Sequence, residues 1–234
     1  MIRLLFCLIC WVVCSIPTAL IGFPALYITG SADLLYRLSF WGGRTGYRLA
    51  GLRVRVIGRE QLEPGRAYLF MSNHTSNLDP PIIMPELGRR VSVVAKQELF
   101  GIPILGRAMR AGNFVAVNRK DRAGLNSIRA AIRVLQSGIG MMVFPEGTRS
   151  PDGRLLPFKK GLFHLAMASG VSVVPITIVG THDAWPKGVF SLRRVPIELH
   201  FHAPLDPHNF SDRKQLLDAV RSAINSALPE PYRE

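Results

Sequence analysis

The sequence predicts an α/β fold, a mixed and largely parallel sheet with helices on both faces, preceded by an N-terminal membrane-embedded helical segment. Short apolar runs typical of buried strands alternate with helical patterns along most of the chain. Before them, the stretch from Leu4 to Ala32 contains no Asp, Glu, Lys or Arg. With 234 residues, 48% of them hydrophobic, the chain can bury one sizeable core. We therefore expect residues 1–49 to form a membrane-associated helical hairpin and amphipathic helix, and residues 50–234 to form the α/β domain.

The uncharged segment allows three interpretations. As one helix it would be roughly 43 Å long, more than a bilayer core of about 30 Å requires. Pro17 and Pro24 disfavour an uninterrupted helix. Two pieces broken near these prolines would each measure roughly 18–20 Å, too short to cross. The prediction is therefore a helical hairpin that enters one leaflet. A single kinked, tilted crossing and a secretory signal behind Arg3 are the alternatives.

Charge also favours a membrane. The chain has 29 basic and 16 acidic residues, a net charge of +13, which suits an anionic membrane surface or nucleic acid better than ordinary solubility charge. The uncharged segment favours the membrane, and no nucleic-acid-binding module is recognisable in the sequence. Leu34, Leu38 and Trp41 then alternate with arginines, an amphipathic pattern that suits the headgroup region on the cytoplasmic side. The arginines of this pattern are Arg37, Arg44, Arg48, Arg53 and Arg55.

Beyond residue 50, the sequence reads as one domain of strands and helices. Apolar runs predict six strands, at residues 67–73, 91–96, 113–117, 140–144, 171–179 and 196–202. Helical spacing predicts helices within residues 121–138, from Gly161 onward, and within residues 211–228. Ligands of such sheets bind outside the carboxyl ends of the strands, and polar motifs follow several of these runs.

The first motif is MSNHTSNLDP, residues 71–80, which carries His74 and Asp79 behind the first predicted strand. An imidazole is a suitable general base near neutral pH when a carboxylate accepts its other N–H and fixes its orientation. Five residues of separation on a loop-to-helix turn allow that contact. The alternative is that Asn73, Ser76 or Asp79 only caps a helix and that His74 has no chemical role.

The second motif, FPEGTRS, follows the predicted strand at 140–144. It presents a carboxylate and a guanidinium in one turn, made by Glu146, Gly147, Thr148 and Arg149. An arginine fork matches phosphate oxygens, and a glutamate can hold a hydroxyl. Lys96 and Arg119 follow two other predicted strands, and with Arg149 they would neutralise a phosphate dianion. Taken singly, each cation is typical of a solvated surface charge.

Together, the motifs resemble those of the glycerolipid acyltransferases of the lysophosphatidic acid acyltransferase family. Four blocks occur in the family's order: NHTSNLD, GNFVAVNR, FPEGTRS and VVPI, the last at Val173 to Ile176. The stretch AKQELFGIPILG between the first two blocks is also similar. The resemblance covers about residues 50 to 205. One departure is Asn118, where the family often has Asp before the arginine.

The resemblance implies transfer of a fatty acyl group from a thioester, either acyl-CoA or acyl-carrier protein, to the free hydroxyl of lysophosphatidic acid. The product, phosphatidic acid, belongs to phospholipid biosynthesis. His74 would then be the base and Asp79 its orienting partner, while Lys96, Arg119 and Glu146 to Arg149 would bind the acceptor's glycerol and phosphate. The family also has an N-terminal membrane-embedded helical pair. The expected setting is the cytoplasmic face of a membrane, with no cofactor and no metal.

Other functions fit parts of the sequence. A different lysolipid, such as a lyso-ornithine lipid, could be the acceptor, but it lacks the phosphate that the three cations suit. A thioesterase or lipase would let water take the acyl group, and the serine version lacks a Gly-x-Ser-x-Gly motif. A non-catalytic lipid-binding protein would explain the charge and the membrane segment but neither motif.

Overall fold

The computed structural model describes residues 2–117 and 125–233. Helices and strands alternate along these residues. In chain order the elements are α1 (Ile2–Pro17), α2 (Phe23–Thr29), α3 (Asp33–Leu49), β1 (Arg53–Ile57), β2 (Leu69–Ser72), α4 (Asp79–Glu86), β3 (Val91–Lys96), α5 (Pro103–Ala111), β4 (Val115–Val117), α6 (Leu125–Gln136), β5 (Gly140–Val143), α7 (Lys160–Ser169), β6 (Val173–Val179), α8 (Thr181–Ala184), β7 (Pro196–Phe201) and α9 (Arg213–Ser226).

One seven-stranded sheet contains the strands in the order β1-β7-β6-β2-β5-β3-β4. Strands β6 and β7 pair antiparallel, and every other neighbouring pair is parallel. The prediction of a mixed, largely parallel sheet is confirmed, and all six predicted strands are present. Strand β1 is an addition. Its alternating Arg and Val residues continue the arginine pattern interpreted as amphipathic helix, whereas the helix ends at Leu49.

Helices cover both faces of the sheet, as predicted. Phe70 of β2 packs into a core cluster with Tyr47 of α3 and Ile82 of α4. Its neighbours Leu69 and Met71 belong to a second cluster, built with α6, α7 and α9. This alternation follows the two-residue period of a strand. Strand β2 is therefore buried on both sides, and its carboxyl end runs into the first motif loop.

The N-terminal segment is one helical run from Ile2 to Thr29, long and apolar enough to cross a membrane by its length and composition. The predicted break at the prolines is wrong. Pro17 ends α1, and the π-helical segment Thr18–Gly22, in which the N–H of Phe23 donates to the carbonyl of Thr18, carries the run on into α2. The chain turns at Gly30, whose φ is 72°, and α3 returns along α1. We call residues 2–49 the N-terminal hairpin.

Small residues let the two arms of the N-terminal hairpin approach closely. A Cβ atom on Gly42 of α3 would lie 2.5 Å from the backbone oxygen of Cys14, and one on Gly46 would lie 2.0 Å from the ring of Trp11. Close backbone approach through small residues is typical of helix pairs in membranes. The cysteines of α1 are buried free thiols: Cys7, Cys10 and Cys14.

Candidate active site

A short loop connects the two residues of the first motif. His74 follows β2, and Asp79 is the first residue of α4. The Nδ1 atom of His74 lies 2.8 Å from Oδ2 of Asp79, and the same oxygen accepts the backbone N–H groups of Thr75 at 2.7 Å and Ser76 at 2.8 Å. Asp79 is fully buried. Donation from Nδ1 to this carboxylate leaves the lone pair of Nε2 available to accept a proton.

The ring of His74 is held from the side as well. It stacks on Phe144 with ring centroids 4.0 Å apart and an interplanar angle of 20°. The side chain remains 18% exposed. His74 is thus fixed in orientation by a carboxylate and a ring while part of its surface stays accessible, which is the requirement for a general base.

Glu146 joins the two motif loops. It is 3% exposed, its Oε1 atom accepts the backbone N–H of His74 at 2.8 Å, and its Oε2 atom accepts the backbone N–H of Leu156 at 3.1 Å. In the opposite direction, the N–H of Ser150 donates to the carbonyl of His74 at 2.7 Å. Since both carboxylate oxygens bind the backbone, the contacts support a role in holding His74. The binding of an acceptor hydroxyl by Glu146 stays a prediction.

Burial raises the pKa of Glu146 from 4.5 to about 7, and the nearby carboxylate of Asp79 adds to the rise. The backbone N–H groups of His74 and Leu156 favour the ionised form and lower the pKa, but they do not cancel the loss of hydration. Glu146 therefore changes its charge near neutral pH while its carboxyl group is bonded to the backbone of His74, the candidate base.

Strand register brings Lys96 to the same edge of the sheet as His74. Met71 of β2 pairs with Val143 of β5, and the preceding residue of β5 pairs with Val93 of β3. In this register Lys96, the last residue of β3, is level with Asn73 just after β2, about 10 Å away at two strand spacings. The Lys96 side chain is exposed, and no acidic side chain in residues 2–117 or 125–233 forms an ion pair with it.

The remaining predicted site residues follow Glu146 in the same turn. Gly147 has a φ of 71°, and a Cβ atom there would lie 2.3 Å from the side chain of Lys159, so the turn requires glycine. Thr148 is exposed and Arg149 is half-buried. Within the described ranges, no acidic side chain forms an ion pair with Arg149. The predicted Arg119 lies outside the described residues.

A large apolar cavity adjoins His74. Its volume is about 1040 Å³, and it extends between the motif loops and the N-terminal hairpin. His74, Phe144 and Gly147 line it on the side of the sheet. Its other walls are mostly apolar and include Trp11, Phe23, Phe40, Leu105 and Met109. Such a cavity suits a hydrocarbon chain whose reactive end reaches the imidazole.

Comparison with known proteins agrees with this geometry. The family model described as Acyltransferase matches residues 53–179, more than half of the chain, and this range contains both motif loops. The chain belongs to this acyltransferase family.

Relatives of this family member span plants, algae, animals and bacteria. It is 36% identical over 165 residues to the 1-acyl-sn-glycerol-3-phosphate acyltransferase of Limnanthes alba, with 70% of this chain and 58% of that protein covered. The protein of that name from Chlamydomonas reinhardtii is 39% identical over 180 residues, 76% of this chain and 53% of that protein. The matched part of the chain thus spans little more than half the length of these relatives.

One solved structure of the acyltransferase family is similar over nearly its whole length. It is the crystal structure of the 1-acyl-sn-glycerophosphate (LPA) acyltransferase PlsC from Thermotoga maritima. The TM-score is 0.79 at 30% identity, and the match covers 96% of this chain and 95% of that one. The similarity therefore includes the N-terminal hairpin as well as the sheet.

Three further residues shape the site, and none of them was predicted from the sequence as a site residue. Phe144 stacks on His74, and Asn73, which is buried, bonds the backbone of Ile178 in both directions at 2.8 and 2.9 Å. The Nζ atom of Lys187 donates to the backbone oxygen of Arg149 at 3.1 Å. Phe144 and Asn73 lie next to predicted site residues within the two motifs, so the motifs could have indicated them. Lys187 lies in a distant loop and had none.

Metal-binding geometry is absent from the part of the acyltransferase chain that the structure describes: no group of three or more His, Cys, Asp or Glu there is placed to hold an ion. His200 of β7 and His202, just after the end of that strand, have protein partners: Glu198 for His200 and Thr177 for His202. That no metal takes part stays a prediction.

Proposed function

We propose that this protein is a membrane-bound O-acyltransferase that transfers a fatty acyl group from an acyl thioester to the free hydroxyl of lysophosphatidic acid, giving phosphatidic acid. The observation that carries the proposal is the imidazole of His74, oriented by buried Asp79 and open to an apolar cavity of about 1040 Å³. The names of the relatives, which are 1-acyl-sn-glycerol-3-phosphate acyltransferases, support the same acceptor.

The proposed step is a direct transfer. Nε2 of His74 accepts the proton of the acceptor hydroxyl while the hydroxyl oxygen forms a bond to the thioester carbonyl carbon. The carbon–sulfur bond then breaks, and the leaving thiolate takes the proton from the imidazolium. Asp79 stabilises the imidazolium through its bond to Nδ1. A positioned general base contributes about 10²–10⁴ in rate. The step requires neither a cofactor nor a metal, and the donor is acyl-CoA or acyl-carrier protein.

Binding of the acceptor phosphate is proposed for the cations at this edge of the sheet. Lys96 and Arg149 have no ion-pair partner among the described residues, so their charges are available to an anion. Arg119 is proposed as the third cation on the resemblance alone. A lyso-ornithine lipid, the rival acceptor, offers these cations no phosphate.

Attachment to one leaflet at the cytoplasmic face is proposed for the N-terminal hairpin. Both ends of its long arm contact the domain: Leu4 and Cys7 belong to the main core cluster, and Leu26 clusters with Ala108 of α5. A helix that crosses a bilayer has to leave the domain, whereas this one lies along it. The outer side of the arm is apolar and exposed, which supports in-plane insertion.

Substitution of the base tests the chemistry. We expect His74→Ala to reduce acyl transfer by about 10²-fold or more while the protein stays folded and bound to vesicles, because the change removes the proton acceptor and little else. Purified protein, a labelled acyl thioester and a panel of lysolipids would show the product directly. Turnover close to that of the wild type would contradict the role of His74.

Substitution of Arg149 tests the acceptor. We expect Arg149→Ala to raise the KM for lysophosphatidic acid about tenfold to a hundredfold, because one charge-assisted hydrogen-bonded pair is lost. The KM for the thioester should change little. Arg133→Ala, an exposed arginine on α6, is the matched control and should leave both constants unchanged. A rise in the KM of the thioester alone would assign Arg149 to the donor instead.

A further inference from the structure

The segment that follows Lys96 exposes an unusual number of apolar side chains. It consists of the 3₁₀-helix Gln97–Gly101 and α5, and we call residues 97–111 the β3–β4 segment. Ile104 is 57% exposed and Ile102 is 46% exposed, and Leu99 and Leu105 are exposed as well. A single exposed aliphatic residue is ordinary, but neighbouring ones form a patch that soluble proteins usually cover.

This patch is continuous with the apolar surface of the N-terminal hairpin. The Tyr27 hydroxyl of α2 approaches the carbonyl of Pro103 at 3.5 Å, and the guanidinium of Arg107 lies 4.1 Å from the centre of the Tyr27 ring. Next to Tyr27, Ile28 is 84% exposed. The two surfaces therefore meet at Tyr27 without an intervening polar loop.

The other side of the β3–β4 segment faces the cavity. Leu105, Ala108 and Met109 line it together with Phe23 of α2, and His74 lines it from the sheet. The segment is thus a wall of the cavity, and Leu105 belongs both to the cavity lining and to the exposed patch. Whatever covers the patch therefore adjoins the cavity.

Charges beside the patch identify the kind of partner. Arg107 and Arg110 of α5 are exposed, and Arg90 pairs at 2.8 Å with Asp33, both side chains being exposed. Glu98 is the acidic residue of the segment itself. Aliphatic residues bordered by arginines and a tyrosine are typical of the boundary between lipid tails and anionic headgroups.

We propose that the β3–β4 segment is a second membrane-inserting element, which enters the same leaflet as α1 and α2 and sets the opening of the cavity at the lipid surface. The occupant of the patch is lipid, because the patch continues a surface already apolar enough for a membrane and is bordered by cations. This inference rests on the proposed function, because the purpose of the insertion is to let an acyl chain pass from the leaflet to His74 without entering water.

Fluorescence of a site-specific label tests the insertion. Ile104→Cys carries an environment-sensitive dye, Ile21→Cys on the N-terminal hairpin is the positive control, and Gln136→Cys at the end of α6 is the negative control. The native cysteines are buried, and labelled wild-type protein gives their background. On addition of vesicles of phosphatidylcholine and phosphatidylglycerol, we expect a blue shift with a several-fold gain in intensity at positions 104 and 21 and no change at 136.

Two outcomes would overturn the proposal. One is a shift at position 21 without a shift at position 104, which would leave the hairpin as the element that inserts. The other is a shift at position 104 that appears without vesicles and grows with protein concentration, because the occupant would then be a second copy of the chain.

Activity separates this inference from the proposed function. We expect Ile104→Asp to reduce acylation of an acceptor embedded in vesicles about tenfold or more, since a carboxylate resists insertion. Acylation of a short-chain, water-soluble lysophosphatidic acid should be unchanged, and Ile104→Leu should behave as wild type. Equal loss on both acceptors would contradict the inference. Absence of transfer by the wild type would instead contradict the proposed function, and the fluorescence result would still decide whether the segment inserts.

Discussion

Asp79 accepts three hydrogen bonds on one carboxylate oxygen, and this explains the spacing of the first motif. The loop from His74 curls so that the consecutive N–H groups of Thr75 and Ser76 point at the carboxylate together with Nδ1 of the ring. Because Nδ1 of the ring is held against this oxygen, Nε2 is the ring nitrogen that is left to accept a proton.

Glu146 predicts a pH dependence of stability. Its pKa is about 7 in the folded protein against 4.5 normally, so the folded state binds the extra proton between these values. Stability from this group is complete below about pH 4.5 and is lost as the pH rises to about 7, a loss of about 3 kcal/mol. Glu146→Gln removes the titration. We therefore expect the difference in Tm, wild type minus variant, to fall as the pH rises from about 5 to about 8.

Thermal unfolding followed by circular dichroism at several pH values measures this difference. Glu60→Gln is the matched control, because Glu60 is exposed and its substitution should leave the pH profile unchanged. A constant difference between wild type and Glu146→Gln across that range would mean that Glu146 ionises normally despite its burial.

Sequence reasoning predicted the contact between His74 and Asp79 but not the arrangement of the residues that hold them. His74 and Asp79 share one loop, so their contact could be predicted from spacing. The bond from His74 to Glu146 joins residues 72 positions apart, and its direction depends on how β5 lies beside β2. A motif shows that a carboxylate is near a site, whereas only the packed strands show whether it faces the substrate or the backbone.

Among the elements, the N-terminal hairpin departs from the expectation that proline breaks a helix. Pro17 and Pro24 predicted a break into two pieces, but the π-helical segment Thr18–Gly22 continues the helix, and α3 packs along the continuous run. The sequence did predict six of the seven strands and the helices α6, α7 and α9, because their apolar periods are regular, but it did not predict α5 or α8. It missed β1, whose two valines are too few to separate a strand from the helix before it.

Gly42 tests the packing of this hairpin. A Cβ atom there would meet the backbone oxygen of Cys14 at 2.5 Å, and a backbone atom cannot rotate away. We expect Gly42→Ala to push α1 and α3 apart and to lower the free energy of unfolding by about 1–3 kcal/mol. Urea unfolding in detergent measures the loss.

Gly161→Ala is the matched helix control. Gly161 lies in α7 with no atom within 4 Å of an added Cβ, so the substitution should be neutral or stabilise by up to about 1 kcal/mol. If both variants unfolded at the same urea concentration as wild type, the close approach of the two hairpin arms would not matter for stability.

For the whole molecule, Glu86 connects the N-terminal hairpin to the α/β domain. This nearly buried carboxylate at the end of α4 accepts bonds from Arg44 and Tyr47 of α3, each at 2.8 Å, and lies 3.5 Å from the guanidinium of Arg59. Burial and the contact with Glu86 raise the pKa of Tyr47 to about 12. These contacts cross the predicted division at residue 49 between a membrane-associated part and an α/β domain.

Deletion of residues 2–49 should therefore weaken the domain as well as release it from membranes. The deletion uncovers the core side chains that pack against Leu4, Cys7 and Tyr47, and it removes two of the partners of Glu86. In detergent, without vesicles, we expect a clearly lower Tm. Arg44→Ala should reproduce part of this effect and lower the free energy of unfolding by about 2 kcal/mol, because Glu86 then loses one of its hydrogen-bond partners.

The contrast with Arg55→Ala makes this prediction specific. Arg55 forms a 3.7 Å ion pair with Glu198 in which Arg55 is exposed and Glu198 is half-buried, so removal of Arg55 should lower the free energy of unfolding by less than about 1 kcal/mol. Unfolding of the three variants by urea in the same detergent gives the comparison. A domain of residues 50–234 that unfolds like the full chain would show that the hairpin anchors the protein without stabilising it. An equal effect of the two arginine substitutions would show that Glu86 does not connect the two parts.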